Sequence, residues 1–473
     1  MKSTLISKEI REKFKYCFEC GICTANCPMV ELLSVTEYNP RTLLQQVIVE
    51  PEKVIGGSMI WLCAWCYRCH KKCPQGLKLP EIFQRIKDEA TRQGQLAGYK
   101  RAVMAITDNV PLPAICWHTC FHPERAFGKG KNAEDSRGFT TEIITEEGKN
   151  ATATKWKVAI VGSGPAGLTT AFELARNGYS VTVFEQQSSP GGMLRKSMPR
   201  YRLPTKVLDD EINRIRRLGV EIRTSARIGK DLPFKDLLEE YESVFIAVGA
   251  HRGRRLGIAG EDAEGVLNAL DFLWKANADE PIDVGKRVVV IGGGNVAVDA
   301  ARMALHMKAE KVVLLYRRSR EEMPANPWEV KEAEDEGLII EFQSAPKKVL
   351  TRNSVVVGLE CVRMSLGELD ETGRRKPIPI DNTEFTVDAD TVIVGIGESP
   401  ETSFLPKQIN RERNQRILVN PITLETTMDG VFAGGDAVTG PATVIEAVLA
   451  GKKAACSIMK RLTMKRGRTD SDE

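Results

Sequence analysis

The stretch that most constrains the fold is KVAIVGSGPAGL, residues 157–168. Four apolar residues predict a short buried strand, and the alanine- and leucine-rich stretch after the glycines predicts a helix. Gly162 permits a tight turn, Gly164 lets the backbone approach a pyrophosphate, and Gly167 lets the helix pack closely on the strand. The next predicted strand ends at Glu185, an acid placed to hold a ribose hydroxyl. This order of elements predicts a dinucleotide-binding unit.

Glycine-rich turns further along the chain assign this first unit to a flavin nucleotide. Gly191 and Gly192 let the backbone lie close to a cofactor, and the apolar run SVFIAVG predicts a buried strand ending at Gly249. Asp436 follows Gly435 and precedes a predicted helix whose N-terminus can face the N1/O2 edge of a flavin. The predicted FAD-binding residues are Gly162, Gly164, Pro165, Ala166, Gly167, Glu185, Gly191, Gly192, Met193, Gly249, Gly435, Asp436, Ala442, Thr443 and Val444.

The dinucleotide pattern occurs a second time, in RVVVIGGGNVAVDAARMALHM, residues 287–307. The following predicted strand ends at Arg317 and Arg318, where the first unit has Glu185. Arginines suit the 2′-phosphate of NADP(H), whereas an acid would suit the ribose of NAD(H), so the pattern favours NADP(H). Solvated arginines with no ligand are the alternative interpretation. The predicted NADP(H)-binding residues are Gly292, Gly294, Asn295, Val296, Ala297, Arg317 and Arg318.

Eight of the twelve cysteines lie in two runs with the same spacing, C-x2-C-x2-C-x3-C-P, which begin at Cys17 and Cys63. This spacing is typical of cubane iron–sulfur clusters, and in two-cluster domains the fourth cysteine of each run binds the other cluster. Zinc is the alternative, but zinc ribbons usually offer two cysteines per run. The spacing predicts one [4Fe–4S] cluster on Cys17, Cys20, Cys23 and Cys73, and a second on Cys63, Cys66, Cys69 and Cys27.

Length and composition exclude several classes of function. The 473 residues, 42% apolar and 27% charged, are typical of a soluble globular protein of about three domains. A net charge of +4 is small for this length and argues against a nucleic-acid partner. No apolar run is long enough for a signal peptide or a membrane span, so a cytoplasmic location is expected.

The N-terminal segment resembles the small iron–sulfur subunit of heterodisulfide reductases. The resemblance rests on both cysteine runs, on Tyr38-Asn39-Pro40-Arg41 between them and on Ile60-Trp61 before the second run. It covers about the first 80 residues.

From about residue 110 to 460 the chain resembles the glutamate synthase small subunit family, through GGGNVAVDAAR and YRRSREEMPANPWEVKEAEDEGLIIEF. That family includes the ferredoxin:NADP oxidoreductase large subunit and the N-terminal part of dihydropyrimidine dehydrogenase. Its members carry further cysteines after a stretch similar to PLPAICWHTC, where this chain has Glu124 and Gly128. A third cluster is therefore not expected, and Cys116 and Cys120 are expected to have a structural role.

These features predict an α/β protein. Two nested dinucleotide-binding (Rossmann-like) domains of the disulfide-reductase-like flavoprotein type follow an α-helical, ferredoxin-like domain with two [4Fe–4S] clusters. The predicted segments are 1–95 for the dicluster domain, 96–155 for a helical joint and linker, 156–255 plus 391–465 for the FAD domain, 256–390 for the NAD(P)H domain and 466–473 for a tail.

The predicted function is electron transfer between NADP(H), FAD, the two clusters and a partner, either another redox subunit of a multisubunit complex or ferredoxin. Hydride transfer to a flavin depends on positioning, so no acid–base catalytic residue is predicted. Flavins in the ferredoxin:NADP relatives can bifurcate electrons, so the resemblance implies that electron bifurcation is an open possibility for this chain. The alternatives are a glutamate synthase small subunit and a zinc-binding scaffold without enzymatic activity.

Overall fold

A computed structural model describes residues 16–34, 36–121, 154, 156–370 and 373–469. Most of the predicted linker, including Glu124 and Gly128, lies outside the described residues, as do positions 470–473 of the predicted tail. Within the described ranges, no helix combines the length and the apolar character needed to cross a lipid bilayer.

The N-terminal part is built from short helices around the two cysteine runs. Several begin with proline at the first helical position, where its missing N–H costs nothing; Asn39 caps one of them by accepting from Arg41 N (3.1 Å) and Thr42 N (3.2 Å). The helices are α1 (Ile22–Ala25), α2 (Pro28–Leu32), α3 (Pro40–Val49), α4 (Pro51–Ile55), α5 (Arg68–Lys72), α6 (Leu79–Arg92), α7 (Ala97–Asn109) and α8 (Pro113–Cys116).

The first dinucleotide unit forms a five-stranded parallel sheet of order β16-β4-β1-β2-β3. Its central strands are short apolar runs because helices and loops cover both faces of a parallel sheet. The elements are β1 (Lys157–Val161), α9 (Pro165–Arg176), β2 (Ser180–Phe184), α10 (Met193–Lys196), α11 (Thr205–Arg217), β3 (Glu221–Arg223), α12 (Phe234–Glu240), β4 (Ser243–Ile246), β16 (Val431–Ala433), α16 (Asp436–Thr439) and α17 (Val444–Thr469).

The second unit repeats this architecture in a parallel sheet of order β6-β14-β7-β8-β9, and carries an added antiparallel sheet in which β11 pairs with β10, β12 and β13. The elements are β6 (Val266–Asn268), α13 (Ala269–Asn277), β7 (Arg287–Ile291), α14 (Asn295–His306), β8 (Lys311–Tyr316), α15 (Pro327–Asp335), β9 (Ile339–Phe342), β10 (Ser344–Arg352), β11 (Val355–Leu369), β12 (Arg375–Pro379), β13 (Phe385–Asp388) and β14 (Thr391–Val394).

The structure places ordered elements at two of the predicted boundaries. Strand β14 begins at residue 391, where the return to the FAD domain was expected, yet it is a central, fully buried strand of the second sheet. The chain crosses between the domains in a two-stranded ribbon of β5 (Arg252–Gly253) and β15 (Glu398–Ser399). The last helix continues to Thr469, so the described part of the predicted tail is helical.

The cluster-bearing helices and the FAD domain share one continuous hydrophobic core. Polar contacts reinforce the joint: Lys452 Nζ donates to Leu32 O and Asn109 O, both at 3.2 Å, and Ala114 N donates to Glu211 Oε1 at 2.9 Å. Burial raises the pKa of Glu211 despite its pairing with Arg214. The two parts therefore form one packed body.

Candidate functional site: a two-nucleotide cavity beside the second cysteine run

A cavity of about 750 Å³ lies where the FAD domain, the NADP(H) domain and the cluster-bearing part meet. Most of the predicted FAD-binding residues line it: Gly162, Gly164, Pro165, Ala166, Glu185, Gly192, Met193, Gly249, Gly435, Asp436, Ala442, Thr443 and Val444. Asn295 and Val296 of the second dinucleotide unit line the same cavity. The fold thus brings residues of both units to one space.

The glycine turn after β1 has the geometry required for a phosphate cradle. Gly162 has φ +106°, and a Cβ at Gly167 would overlap the carbonyl oxygen of Gly162. Around Gly164 there is open space, whereas a Cβ at Gly192 would lie 2.8 Å from Gly164 Cα. Helix α9 and strand β1 are thus in close contact, and the backbone beside Gly164 remains open to a ligand.

Glu185 lies buried directly after β2. Ser163 links it to the turn that begins at Gly162 and to the glycine pair at Gly191. Its carboxylate accepts hydrogen bonds from Ser163 N (3.1 Å), Ser163 Oγ and Gln187 N (2.8 Å). Ser163 Oγ in turn accepts from Gly191 N at 3.0 Å. The middle residue of the first turn therefore orients the acid, a role that the glycine pattern did not reveal.

Asp436 and the N-terminus of α17 also line the cavity. Burial raises the pKa of Asp436 to about 7, against the effect of a hydrogen bond from Ala442 N (3.2 Å). Thr443 N and Thr443 Oγ1 both donate to Glu446 Oε2, at 3.0 and 2.7 Å, at the start of this helix. A buried, easily protonated carboxyl group suits hydroxyl groups of a bound nucleotide.

The second glycine turn is packed from behind by its own domain. A Cβ at Gly292 would overlap Gly395 O, and one at Gly293 would overlap the ring of Tyr316. Ala297 is buried against Gly395, and Gly294 has open space around it. This turn therefore offers a second open position for a nucleotide phosphate.

The two arginines after β8 differ in their surroundings. Arg317 is exposed, whereas Arg318 is buried and donates to Asp370 Oδ2 (2.6 Å) and Arg375 O (2.7 Å). Of the two predicted phosphate ligands, Arg317 is therefore the one that is exposed. Arg318 instead connects β8 to the β11–β12 hairpin.

The two cysteine runs fold into loops of the same shape. The residues before and after the second cysteine of each run have positive φ: Glu19 and Gly21 in the first, Trp65 and Tyr67 in the second. Left-handed backbone at such non-glycine positions is uncommon. These residues bend each loop in one direction, so that successive cysteines can face a common centre.

The fourth cysteine of each run lies with the other run. Cys17, Cys20, Cys23 and Cys73 line one small pocket. Burial and the neighbouring thiols of Cys63 and Cys23 raise the pKa of Cys27 to about 12. Burial likewise raises the pKa of Cys69, whose neighbouring thiols include Cys63, Cys66 and Cys27. This arrangement fits two crossed sets of cluster ligands.

No three or more histidine, cysteine, aspartate or glutamate side chains converge on a single-ion site in the part of the chain that the structure describes. A cubane cluster needs a wider spacing of its ligands, because each of its four cysteines binds a separate iron atom.

The second cysteine run adjoins the cavity. Ala64 and Trp65, between Cys63 and Cys66, are among the cavity-lining residues, and Trp65 contacts Trp328 of the NADP(H) domain at a ring-centroid distance of 6.1 Å. The first run lies toward the surface: Cys20 is exposed, and Phe18 is 70% exposed. The two sets of cysteines therefore lead from the cavity to the molecular surface.

Cys116 and Cys120 lie fully buried on α8 and the π-helical turn that follows it. Cys116 donates a hydrogen bond to Cys120, and with a bond from Ile445 N this lowers the pKa of Cys120. Cys120 also lines the cavity. The pair packs the joint against α17, and its structural role stays a prediction.

Several cavity residues were not expected from the sequence. Arg202 bridges the two domains, with bonds to Asp299 Oδ1 (3.0 Å) and Glu329 Oε1 (2.9 Å). His251 lies beside Gly249, and burial lowers its pKa to about 4, so it is neutral at physiological pH. Only their positions in the folded chain reveal these residues, because no motif surrounds them.

Comparisons with known proteins agree with this geometry. Residues 156–451 match the family model described as "Pyridine nucleotide-disulphide oxidoreductase", and residues 13–77 match the "4Fe-4S dicluster domain". The chain belongs to the pyridine nucleotide-disulphide oxidoreductase family. The two matches together make it an NADP(H)-dependent oxidoreductase whose cofactors are FAD and two [4Fe–4S] clusters. They confirm the predicted fold class, cofactors and enzyme class. The assigned site residues and domain limits remain predictions.

Similar family members include redox subunits. The chain is 39% identical over 425 residues to the NADP(+)-dependent formate dehydrogenase subunit beta of Moorella thermoacetica, covering 82% of this chain and 59% of that protein. The NADPH-Fe(3+) oxidoreductase subunit beta of Geobacter sulfurreducens is 38% identical, with 86% and 65% covered. The chain thus spans about three fifths of the length of these relatives.

Two further comparisons concern the flavoprotein part of this family member. The glutamate synthase [NADPH] small chain of Escherichia coli is 32% identical over 432 residues, which cover 85% of this chain and 88% of that protein. The structure of Mycobacterium tuberculosis FprA in complex with NADPH matches with a TM-score of 0.57 at 20% identity, covering 67% of this chain and 86% of FprA. At this identity the structural match shows the fold alone.

Proposed function

We propose that this chain is an electron-transfer subunit that exchanges electrons between NADP(H) and a partner protein. The observation that supports this most strongly is the shared cavity, lined by both dinucleotide units and by Ala64 and Trp65 of the second cysteine run. When bound there, FAD converts between the hydride chemistry of NADP(H) and the single electrons that iron–sulfur clusters carry.

The chain's own residues supply binding and positioning. The glycine turns at Gly162 and Gly292 receive the two pyrophosphates, and Glu185 and Asp436 accept hydroxyl hydrogen bonds from the flavin nucleotide. Cys63, Cys66, Cys69 and Cys27 hold the cluster nearer the cavity, and Cys17, Cys20, Cys23 and Cys73 hold the one nearer the surface. Electrons therefore enter or leave the chain near Cys20 and Phe18, which are exposed.

The partner is a further redox subunit of a multisubunit complex. This follows the names of the formate dehydrogenase and Fe(3+) oxidoreductase relatives, each a subunit called beta. Ferredoxin at the same surface is the other partner that this arrangement suits. Because the thiols are arranged as cluster ligands, a reducing compartment such as the cytoplasm is the proposed location.

A glutamate synthase small subunit is the second candidate, since the Escherichia coli small chain is covered over 88% of its length. The two are separated by adding a glutamate synthase large subunit, glutamine and 2-oxoglutarate to the NADPH-supplied chain. Glutamate formation at a rate comparable to the natural small subunit would favour the second candidate over the first.

The proposal is tested on anaerobically purified protein. We expect a flavin spectrum and about eight irons per chain. NADPH should bleach the absorbance of both the flavin and the clusters, and NADH should do so less effectively. Cys73→Ser should abolish the cluster near the surface and leave the cluster near the cavity, whereas Cys27→Ser should do the reverse. Zinc without iron or flavin would instead identify a scaffold and would overturn the proposal.

A further inference from the structure

We propose that Arg374, on the β11–β12 hairpin, binds the 2′-phosphate of NADP(H) together with Arg317, and that Arg318 and Asp370 are positioning residues that hold the hairpin in place. The inference deepens the proposed function, because it rests on NADP(H) being the nucleotide of the second unit. It assigns nucleotide specificity in part to the added antiparallel sheet.

Arg318 attaches the hairpin to the end of β8. Its buried guanidinium donates from one nitrogen to Asp370 Oδ2 at 2.6 Å and from Nε to Arg375 O at 2.7 Å. Arg375 N in turn donates to Glu322 Oε1 at 2.6 Å. Both ends of the hairpin segment that contains Arg374 are thus bonded to the loop after β8.

The backbone around Arg374 is closed by its own hydrogen bonds. Asp370 N donates to Arg374 O at 2.6 Å, Arg374 N donates to Asp370 Oδ1 at 3.2 Å, and Gly373 N donates to Asp370 O at 2.8 Å. Asp370 therefore has two functions, since one carboxylate oxygen holds Arg318 and the other holds the backbone of Arg374. This sets where the Arg374 side chain begins.

The hairpin lies on the side of β8 where a 2′-phosphate would be placed. Tyr316, the last residue of β8, packs its ring against Gly293 of the phosphate turn, and its hydroxyl donates to Glu322 O at 2.8 Å. Arg317 follows immediately and is exposed. The glycine turn, Arg317 and the hairpin are therefore neighbours around the end of one strand.

The charge at this edge is strongly positive. Arg317, Arg318 and Arg374 lie close enough for their charges to interact, and among the described residues Asp370 is a carboxylate that interacts with Arg317 and Arg318. Arg317 is exposed as a residue, but partial burial of its guanidinium group and the two neighbouring arginines lower its pKa. A dianionic phosphate relieves this repulsion and accepts hydrogen bonds from planar guanidinium groups.

The test measures binding of 2′,5′-ADP and 5′-ADP to the FAD- and cluster-loaded protein by calorimetry. Arg374→Gln should weaken 2′,5′-ADP binding roughly tenfold or more and leave 5′-ADP binding unchanged, because one charged hydrogen bond to the phosphate is lost. Arg374→Lys should retain part of the preference as a point charge. The matched control is Lys376→Gln on the same hairpin, which should bind both nucleotides as the unmodified protein does.

Asp370→Asn separates positioning from simple electrostatics. Removal of a negative charge beside a phosphate would by itself raise its affinity, whereas loss of the hairpin anchor should lower the affinity for 2′,5′-ADP. Unchanged or increased affinity in Asp370→Asn would overturn the positioning role. Unchanged 2′,5′-ADP binding in Arg374→Gln would overturn the role of Arg374.

The same experiment distinguishes this inference from the proposed NADP(H) preference. If the unmodified protein binds 2′,5′-ADP no better than 5′-ADP, the preference itself is wrong. If it prefers 2′,5′-ADP and Arg317→Gln removes the preference while Arg374→Gln does not, only the hairpin inference is wrong. Retained FAD and cluster absorbance in every variant shows that the fold is intact.

Discussion

At the scale of single residues, Tyr38 lies against the proposed cluster site at the second cysteine run. It is fully buried, and its hydroxyl donates a hydrogen bond to the thiol of Cys63, with Cys27 and Cys69 as further neighbours. Hydrogen bonds to ligating sulfur stabilise the reduced, more negative cluster and raise its reduction potential. A tyrosine next to the cluster near the cavity would therefore help that cluster to accept electrons.

Tyr38→Phe should make the reduction potential of the cluster near the cavity more negative, because the donor is lost while the ring still fills its place. Redox titration followed by electron paramagnetic resonance measures this potential. The cluster near the surface serves as the internal control and should keep its potential. Equal potentials in variant and unmodified protein for both clusters would contradict the assigned bond.

Asp436 predicts a pH dependence of the FAD-free protein. Its folded pKa of about 7 lies above its ordinary value of 3.8, so its contribution to stability is full below pH 4 and is lost as the pH rises through 7. Over that range we expect a loss on the order of a few kcal/mol.

Thermal unfolding of deflavinated protein between pH 5.5 and 8 tests this effect. The unmodified protein should lose stability across the range, and Asp436→Asn should lose less because it has no carboxyl group to ionise. A parallel pH profile in the two proteins would rule out Asp436 as the source.

At the scale of elements, the glycine turn between β1 and α9 has two different requirements. Gly167 is needed inside the protein, because a side chain there would overlap the carbonyl of Gly162. Gly164 has open space around it and an ordinary φ of −71°, so its lack of a side chain matters only when a ligand approaches. The sequence pattern indicated both roles, and the packing separates them.

Gly167→Ala and Gly164→Ala should therefore fail in different ways. Gly167→Ala should lower the free energy of unfolding by about 1–3 kcal/mol or more through overpacking. Gly164→Ala should unfold like the unmodified apoprotein and bind FAD weakly. Chemical denaturation and flavin titration measure the two effects; equal stability of both apoproteins would contradict the packing argument.

For the molecule as a whole, Arg202 connects the domains. It belongs to the FAD domain and pairs with Asp299 on α14 and Glu329 on α15, all three being largely buried. Asn277 adds a hydrogen bond from the NADP(H) domain to Met198 O at 3.0 Å. These bonds hold the two nucleotide units in the arrangement that creates the shared cavity.

Arg202→Met should destabilise the protein by about 3–5 kcal/mol, because it leaves two buried carboxylates without their cation. The matched control is Arg200→Met: Arg200 also crosses the domain interface, to Asp279 at 2.7 Å, but that pair is exposed, and its loss should cost less than about 1 kcal/mol. Thermal unfolding and hydrogen exchange at α15 measure the difference. Equal effects of the two variants would contradict the role of Arg202 in holding the two domains together.

The sequence alone determined the cofactors and the order of the parts. Glycine turns, cysteine spacing and buried apolar runs are local patterns, and their physical requirements, such as room for a phosphate or a loop around a cluster, are met within a few residues. The family and fold class predicted from them are confirmed. The boundary predicted at 391 falls at the start of β14, a strand of the second sheet, because the sequence of an apolar strand does not reveal which of two similar sheets it joins.

Tertiary structure alone decided how the parts meet. Arg318 lies just after β8, whereas its hydrogen-bond partners Asp370 and Arg375 are more than fifty residues away along the chain. The approach of Ala64 and Trp65 to the cavity likewise depends on packing between distant segments. Such contacts arise from burial and charge pairing between segments that are distant in the sequence. The turn at Gly162 can therefore be predicted from its own residues, whereas the way in which the cysteine runs connect its cavity to the surface cannot.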